Sequence, residues 1–237
     1  MSKIRIHIKS EQIADVIEIA NKDAIHKIRN VLRLGAGDDL YAFDGQGSEY
    51  LCKISQLGKK VLVLDKVSLL KKSKQSKVKL TLAFPVDKDD KVSLILQKAT
   101  ELGVSEFIPF TSQRTQKIKI DQKKLDRWAK VIVEAVRQSE RLWIPQIRDV
   151  ANFKNLIRSN HELKLAGAIT GGSLEKLLPK KFSDVFYIIG PVGDFSPQEY
   201  SELGENGFEF IKLSNYLLKV ETAAIVGVGL INYLASG

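Results

Sequence analysis

Three segments of this sequence carry residue types that could handle a ligand. Gly190-Pro191-Val192-Gly193-Asp194-Phe195-Ser196 follows an apolar run and leads into Ser196-Pro197, a helix start with proline in its first turn. Two glycines let a ligand come close to the backbone, and amides at the helix start can donate to polar atoms. The loop lacks the Lys-Ser/Thr ending of a P-loop and is not a Gly-x-Gly-x-x-Gly turn, so taken alone it reads first as a structural turn. The second segment runs from Leu213 through Ser214, Leu217 and Leu218 to Glu221-Thr222-Ala223, where Glu221 and Thr222 either cap a helix or face a ligand. The third, Gln113-Arg114-Thr115-Gln116-Lys117 with Lys119, Lys123, Lys124, Arg127 and Lys130, can grip phosphates, although a solvated helix face explains it equally.

Composition narrows the chemistry. Lys and Arg total 37 against 28 Asp and Glu, a net charge of +9 and a pI near 9.4 that attract polyanions, nucleic acid first. Three dispersed histidines and the single Cys52 form no metal-ligand pair, so no metal is expected. One cysteine also excludes an internal disulfide, which fits a reducing, cytoplasmic setting. The N-terminus alternates charged and apolar residues instead of presenting the unbroken apolar segment of an export signal. The longest apolar stretch, Ala223 to Ala235, falls short of the roughly 20 residues that span a bilayer and reads as a buried helix in which Gly227 and Gly229 permit close packing.

The elements that would position these segments fall into two textures. Up to about residue 70 the chain shows period-2 stretches, Ile4–Ile8, Asp39–Phe43, Ser48–Ile54 and Lys60–Val67, punctuated by glycines, which predicts a small β-barrel. Asp44-Gly45-Gln46-Gly47 is a hairpin signal, and Asn21–Leu32 is a helix with Ile25, Ile28 and Leu32 on one face. Ser68–Lys77, crowded with lysine and serine, reads as a linker. From Val78 onward strands alternate with helices, the pattern of βα units on a parallel sheet. Strands are expected at 78–84, 104–110, 144–150, 163–169, 185–189 and 208–213, and helices at 87–102, 125–139, after Ser196 and from Val220. Ligands in such sheets sit beyond the carboxyl ends of the strands, which singles out the segments after Ile169, Ile189 and Leu213.

The chain resembles, over nearly its full length, the RsmE family of SPOUT-type RNA methyltransferases. The resemblance rests on His26, Val31-Leu32-Arg33-Leu34 and Gly37-Asp38, on Lys98-Ala-Thr-Glu-Leu-Gly-Val104, and on Arg127-Trp128, Glu134-Ala135, Gln138-Ser139, Arg141 and Ile144-Pro145. It continues through Gly190-Pro191, Gly193, Phe195-Ser196, Leu213, Leu217-Leu218 and Glu221-Thr-Ala223. Departures fall in the loops: Val192 and Asp194 stand in a Gly-Pro-Glu-Gly-Gly motif, and Ser214, Tyr216 and Lys219 stand where the family has a glycine and two arginines.

The resemblance implies an α/β SPOUT domain with a parallel sheet and a trefoil knot over residues 73–237, and a PUA-like RNA-binding β-barrel domain over residues 1–72. It implies transfer of a methyl group from S-adenosyl-L-methionine to N3 of a uridine in 16S (small-subunit) ribosomal RNA, by a homodimer joined through the C-terminal domain. The last helix, with Ile225, Val228, Leu230 and Ile231, is the candidate interface. The donor would lie on Ile169, Thr170, Gly190, Pro191, Val192, Gly193, Asp194, Leu213, Ser214, Leu217 and Leu218. Arg141 or Arg114 would face the uracil anion, Glu221 is a candidate base, and His26, Arg33, Arg114, Lys117 and Lys119 would touch RNA. The altered motifs also admit a SPOUT-fold RNA-binding or ribosome-assembly protein that has lost catalysis, or a methyltransferase with another RNA target; Asp194 or Tyr216 filling the pocket would decide for the former.

Overall fold

The computed structural model describes residues 3–115, 118, 120–177 and 181–235. The chain divides into two compact units: Met1–Gln75 with Val136–Ile144, and Ser76–Ala135 with Pro145–Gly237.

The first unit holds β1 (Arg5–His7), β2 (Val16–Ile19), a short helix α1 (Lys22–His26), β3 (Asp39–Phe43), β4 (Ser48–Leu57) and β5 (Leu62–Lys72). They form a five-stranded sheet in the order β1-β3-β4-β5-β2, antiparallel except for the β1–β3 pair. Alternation along the strands sends Leu40, Ala42, Cys52, Ile54, Leu62 and Leu64 to one face, where Ile25 and Ile28 cover them. Asn21 caps α1 by accepting from Ala24 N at 3.0 Å. Beyond His26 the helix widens, with Leu32 N donating to Lys27 O, so the expected helix is realised in two pitches.

Val16–Ile19, a strand beyond those expected, pairs with β5, and one reading changes. Ser68–Lys77 is no linker over its first half: β5 runs to Lys72, and Lys71 and Lys72 pair with Glu49 and Ser48 of β4. Lysine and serine report that this end of the strand is exposed, while its ladder is dictated by the ten-residue partner β4.

Val136–Ile144 joins the first unit through specific bonds. The Arg5 guanidinium, buried with Glu49, donates to Glu49 at 2.6 Å and to the carbonyls of Val136, Arg137 and Arg141 at 3.0, 3.0 and 2.9 Å. Gly47 N donates to Leu142 O, and Ile144 N to Gly45 O. Both glycines have positive φ, and a Cβ on Gly45 would strike Ile144 at 2.5 Å, so the Asp44–Gly47 hairpin turn is also the docking point.

The second unit contains β6 (Lys79–Pro85), α2 (Asp89–Glu101), β7 (Glu106–Thr111), α3 (Gln122–Gln138, whose last residues belong to the first unit), β8 (Gln146–Ile147), β9 (Ala151–Asn152) and α4 (Phe153–Leu156). It continues with β10 (Leu163–Gly172), α5 (Leu174–Leu177), β11 (Asp184–Ile188), α6 (Pro197–Glu205), β12 (Glu209–Ile211) and α7 (Val220–Ala235). The sheet runs β12-β10-β11-β6-β7-β8, with β9 also on β7, and every pair is parallel. Its central strands are buried along their length, Leu80–Phe84 and Val185–Ile188, as parallel strands covered on both faces must be. The expected strand 144–150 is instead two short pieces, β8 and β9.

From β6 the chain first builds toward β7 and β8, then crosses to lay down β10, β11 and β12 on the other side. The direction of winding therefore reverses between β6 and β11, the position at which α/β sheets open a crevice. Helix α7 is held against this region by the buried Tyr187, whose hydroxyl donates to Ala223 O at 3.0 Å. Gly227 makes that approach possible, since a Cβ there would lie 2.4 Å from the tyrosine ring. Among the described residues, no helix is long and apolar enough to cross a membrane.

Candidate active site

The carboxyl ends of β10, β11 and β12, with the first turns of α2 and α7, enclose a cavity of about 680 Å³, within the range of roughly 300–1,000 Å³ typical of small-molecule sites. Residues 167–169, 189–194, 213–214, 216–221 and 223 line it, together with Lys91.

The loop after β11 is built as a rigid turn. Gly193 and Asp194 both take left-handed backbone, φ 88° and 66°, and Asp194 N donates to Pro191 O at 2.9 Å. Aspartate tolerates that conformation better than most residues, which is how it stands in for the family's glycine. Its carboxylate turns back on its own loop, accepting from Phe195 N at 2.8 Å and from the Tyr200 hydroxyl at 2.7 Å. Burial, reinforced by that bond, pushes the Tyr200 phenol far above its ordinary pKa, so it stays a donor. Ser196 and Glu199 form a complete capping box on α6, and Glu199 also accepts from Gln113 N at 3.0 Å.

Arg114 reaches the same loop from the other side, donating to Gly193 O and, at 3.4 Å each, to the carbonyls of Asp194 and Phe195.

In the loop after β12, Ser214 Oγ accepts from Tyr216 N at 3.1 Å. Tyr216 and Leu217 are 80% and 84% exposed, so they form the rim of the cavity and do not fill it. Neither of the side chains that might have blocked the pocket does so. Glu221, the second residue of α7, lines the wall, and its buried Oε2 has no hydrogen-bond partner among the described residues. Across from it in sequence but on the same wall, Lys91 of α2 donates to Asp87 at 2.9 Å. The Asp87 bond first, and the Glu221 charge after it, hold the Lys91 ammonium above its usual pKa.

Of the residues assigned to the methyl donor, all but Thr170 line this cavity. Thr170 is exposed and lies one residue beyond the Gly167–Ile169 stretch of β10 that lines the cavity. Glu221 is on the wall, whereas Arg114 is spent on the loop carbonyls. Arg141 lies on the Val136–Ile144 segment of the first unit and does not line the cavity; desolvation brings its pKa down to about 10. His26 and Arg33 are exposed on the first unit, and Lys117 and Lys119 lie outside the described residues. The cations that do line the cavity, among the described residues, are Lys91 and Lys219. Lys91 escaped the sequence reading, although a lysine in a helix's first turn, where the macrodipole disfavours a cation, was a usable signal.

Known proteins can now be set beside this geometry. The RNA methyltransferase domain family matches residues 74–232, and the RNA methyltransferase PUA domain matches residues 17–66. The ribosomal RNA small subunit methyltransferase E of Rickettsia conorii is 32% identical, covering 98% of this chain and 96% of that protein. The protein of the same name from Bacillus subtilis is 30% identical with the same coverage. This chain belongs to the ribosomal RNA small subunit methyltransferase E family. A Legionella pneumophila protein described as a methyltransferase, solved with bound S-adenosylmethionine, superposes with a TM-score of 0.91 at 29% identity over 98% of both chains. At the five positions that depart from the methyltransferase E motif expected from the sequence, Asp194 takes left-handed backbone, the Ser214 hydroxyl accepts from a local amide, and Val192, Tyr216 and Lys219 are exposed.

Proposed function

We propose that this protein transfers a methyl group from S-adenosylmethionine to N3 of a specific uridine in 16S (small-subunit) ribosomal RNA. The observation that carries the reading is the open cavity of about 680 Å³ formed by the very loops that bear the family's motifs. The residues fit the donor: apolar Ile169, Ile189, Leu213 and Leu218 flank a glycine-bearing backbone at Gly190 and Gly193. S-adenosylmethionine supplies an electrophilic methyl group on a sulfonium. The protein's share is then to hold the target nitrogen in line, keep water out and take the N3 proton, with positioning the larger part.

RNA binding falls to the basic surface and to the PUA-like unit, where His26 and Arg33 are exposed. The target base must leave its stack to enter the cavity, which favours single-stranded or helix-end RNA. The proposal includes a homodimer formed through the C-terminal unit: Leu230 and Tyr233 of α7 are 39% and 77% exposed, while Val228 and Ile231 of the same helix are buried within the unit. It also includes a knotted C-terminal segment and a cytoplasmic site of action, where ribosomal RNA is made.

Calorimetric titration with S-adenosylmethionine, followed by mapping of methylated bases in small-subunit RNA from a strain lacking the gene, tests the proposal. Micromolar binding and the loss of one N3-methyluridine are expected. No binding at millimolar ligand refutes it, and loss of a different modification replaces the uridine target with another RNA site.

A further inference from the structure

The cavity wall carries an acidic and a basic side chain with bonding capacity to spare. Glu221 Oε2 is buried with no hydrogen-bond partner among the described residues, an arrangement that costs about 1–3 kcal/mol and that a ligand's donor would relieve. Lys91 lines the same cavity, its Nζ anchored by Asp87 at 2.9 Å, and keeps protons free to donate. The two residues come from the first turns of α2 and α7, helices that pack against one another, so both are fixed by secondary structure and not by loops. On the wall of one cavity and close enough for their charges to interact, an acceptor and a donor can complement a ligand edge with a proton next to a carbonyl oxygen. Uracil has that edge at N3 and its flanking oxygens. Cytosine lacks the N3 proton and would set a lone pair against the Glu221 carboxylate.

Resting on the methyltransferase reading, we propose that Lys91 and Glu221 form a donor–acceptor pair that reads the imide edge of the target uracil and removes its proton. The N3–H bond breaks, the proton passes to Glu221 Oε2, and the bonding pair stays on N3 as the nucleophile. Negative charge spreads to the neighbouring carbonyl oxygen, where the Lys91 ammonium receives it. The catalytic residues are thus one carboxylate and one lysine, with Asp87 as the positioning residue that holds the lysine.

Single-turnover methylation of small-subunit RNA at saturating S-adenosylmethionine, with calorimetric titration of the methyl donor in parallel, tests this. Glu221→Gln should slow the chemical step at least about 100-fold, as loss of a general base does. Lys91→Met should slow it about 100-fold, and Lys91→Arg by less than about tenfold, because the cation is kept. Affinity for S-adenosylmethionine should stay within about threefold in all three variants, which also certifies folding. With 5-fluorouridine at the target position, whose N3–H is more acidic, the Glu221→Gln deficit should shrink about tenfold, a response that a merely structural role would not produce. A wild-type rate in Lys91→Met or Glu221→Gln overturns the proposal. So does a loss of donor affinity as large as the loss of rate, which would assign the pair to the amino-acid end of S-adenosylmethionine. Wild-type protein that binds no S-adenosylmethionine defeats the methyltransferase reading itself, and this inference with it.

Discussion

The Tyr200 hydroxyl donates to Asp194 Oδ2 at 2.7 Å, while Oδ1 of the same carboxylate accepts from Phe195 N at 2.8 Å. One side chain thus ties the donor loop to the first turn of α6 and satisfies an amide at the helix entrance. The aspartate that departs from the family's glycine is a brace for the loop, and its φ of 66° keeps the backbone course that glycine would have taken.

Replacing Asp194 separates brace from backbone. Asp194→Asn keeps an acceptor for Phe195 N and tolerates the left-handed conformation, so S-adenosylmethionine affinity should change by less than about threefold. Asp194→Ala loses both bonds and strains the backbone by about 1–2 kcal/mol, and affinity should fall about tenfold. Calorimetry on the two variants decides: an alanine variant that binds as tightly as wild type would show that the turn holds itself without the carboxylate.

Arg114 tests whether loop position and catalysis are separate. Its guanidinium is engaged with the carbonyls of Gly193, Asp194 and Phe195, so Arg114→Ala should weaken donor binding about tenfold even with no RNA present. Because the side chain is exposed, the melting temperature should barely move. If donor affinity is unchanged and only RNA affinity drops, the arginine serves RNA and the clamp is incidental.

What the sequence made legible was local. The capping box at Ser196 and Glu199, the hairpin at Asp44–Gly47 and the apolar cores of β6 and β11 depend on neighbours in the chain, and all stand where the residues placed them. What it hid was set by distant partners. The length of β5 follows from β4, the return of Val136–Ile144 to the first unit follows from Arg5, and the break between β8 and β9 follows from where β7 offers backbone groups. The site divides the same way. Its loop residues were readable from motifs, but Lys91 reaches the cavity only because the sheet's winding reverses beside the end of β6.

Glu106 gives the second unit an acid-sensitive seam. It is buried between strands, which alone would raise its pKa, but bonds from Arg148 and from Lys79 at 3.0 Å outweigh burial and lower it. A carboxylate with a lowered folded-state pKa contributes stability that is complete above the unfolded value, roughly 4.3, and disappears as pH falls through the folded value. Lys79 and Arg148 are about half exposed, so solvent screening limits the contribution to about 1 kcal/mol. Scanning calorimetry from pH 7 to pH 3 should show wild type losing more melting temperature than Glu106→Gln, the two curves converging at the acid end. Parallel curves throughout would mean that the ion pairs add nothing.

The buried pair Arg5–Glu49 carries the attachment of Val136–Ile144, and its removal should be felt as stability. Arg5→Met leaves the largely buried Glu49 with Lys3, 3.7 Å away, as its remaining counter-charge, and it strips the Arg5 bonds from the carbonyls of Val136 and Arg137 at the end of α3 and from that of Arg141. Breaking a buried ion pair from one side costs about 3–5 kcal/mol, which at this chain length lowers the melting temperature by roughly 6–20 °C. Removing the buried carboxylate as well, in Arg5→Met/Glu49→Leu, should restore only part of that loss, because the Arg5 bonds to the three carbonyls are still missing. Full recovery in the double variant would show that the carbonyl bonds contribute nothing. A single variant as stable as wild type would show that the segment is held by the Phe43–Val136–Leu142 contact and the Gly47–Leu142 and Ile144–Gly45 backbone bonds without Arg5. The expected ordering, wild type above the double variant above Arg5→Met, holds only if one guanidinium both neutralises Glu49 and anchors the returning segment.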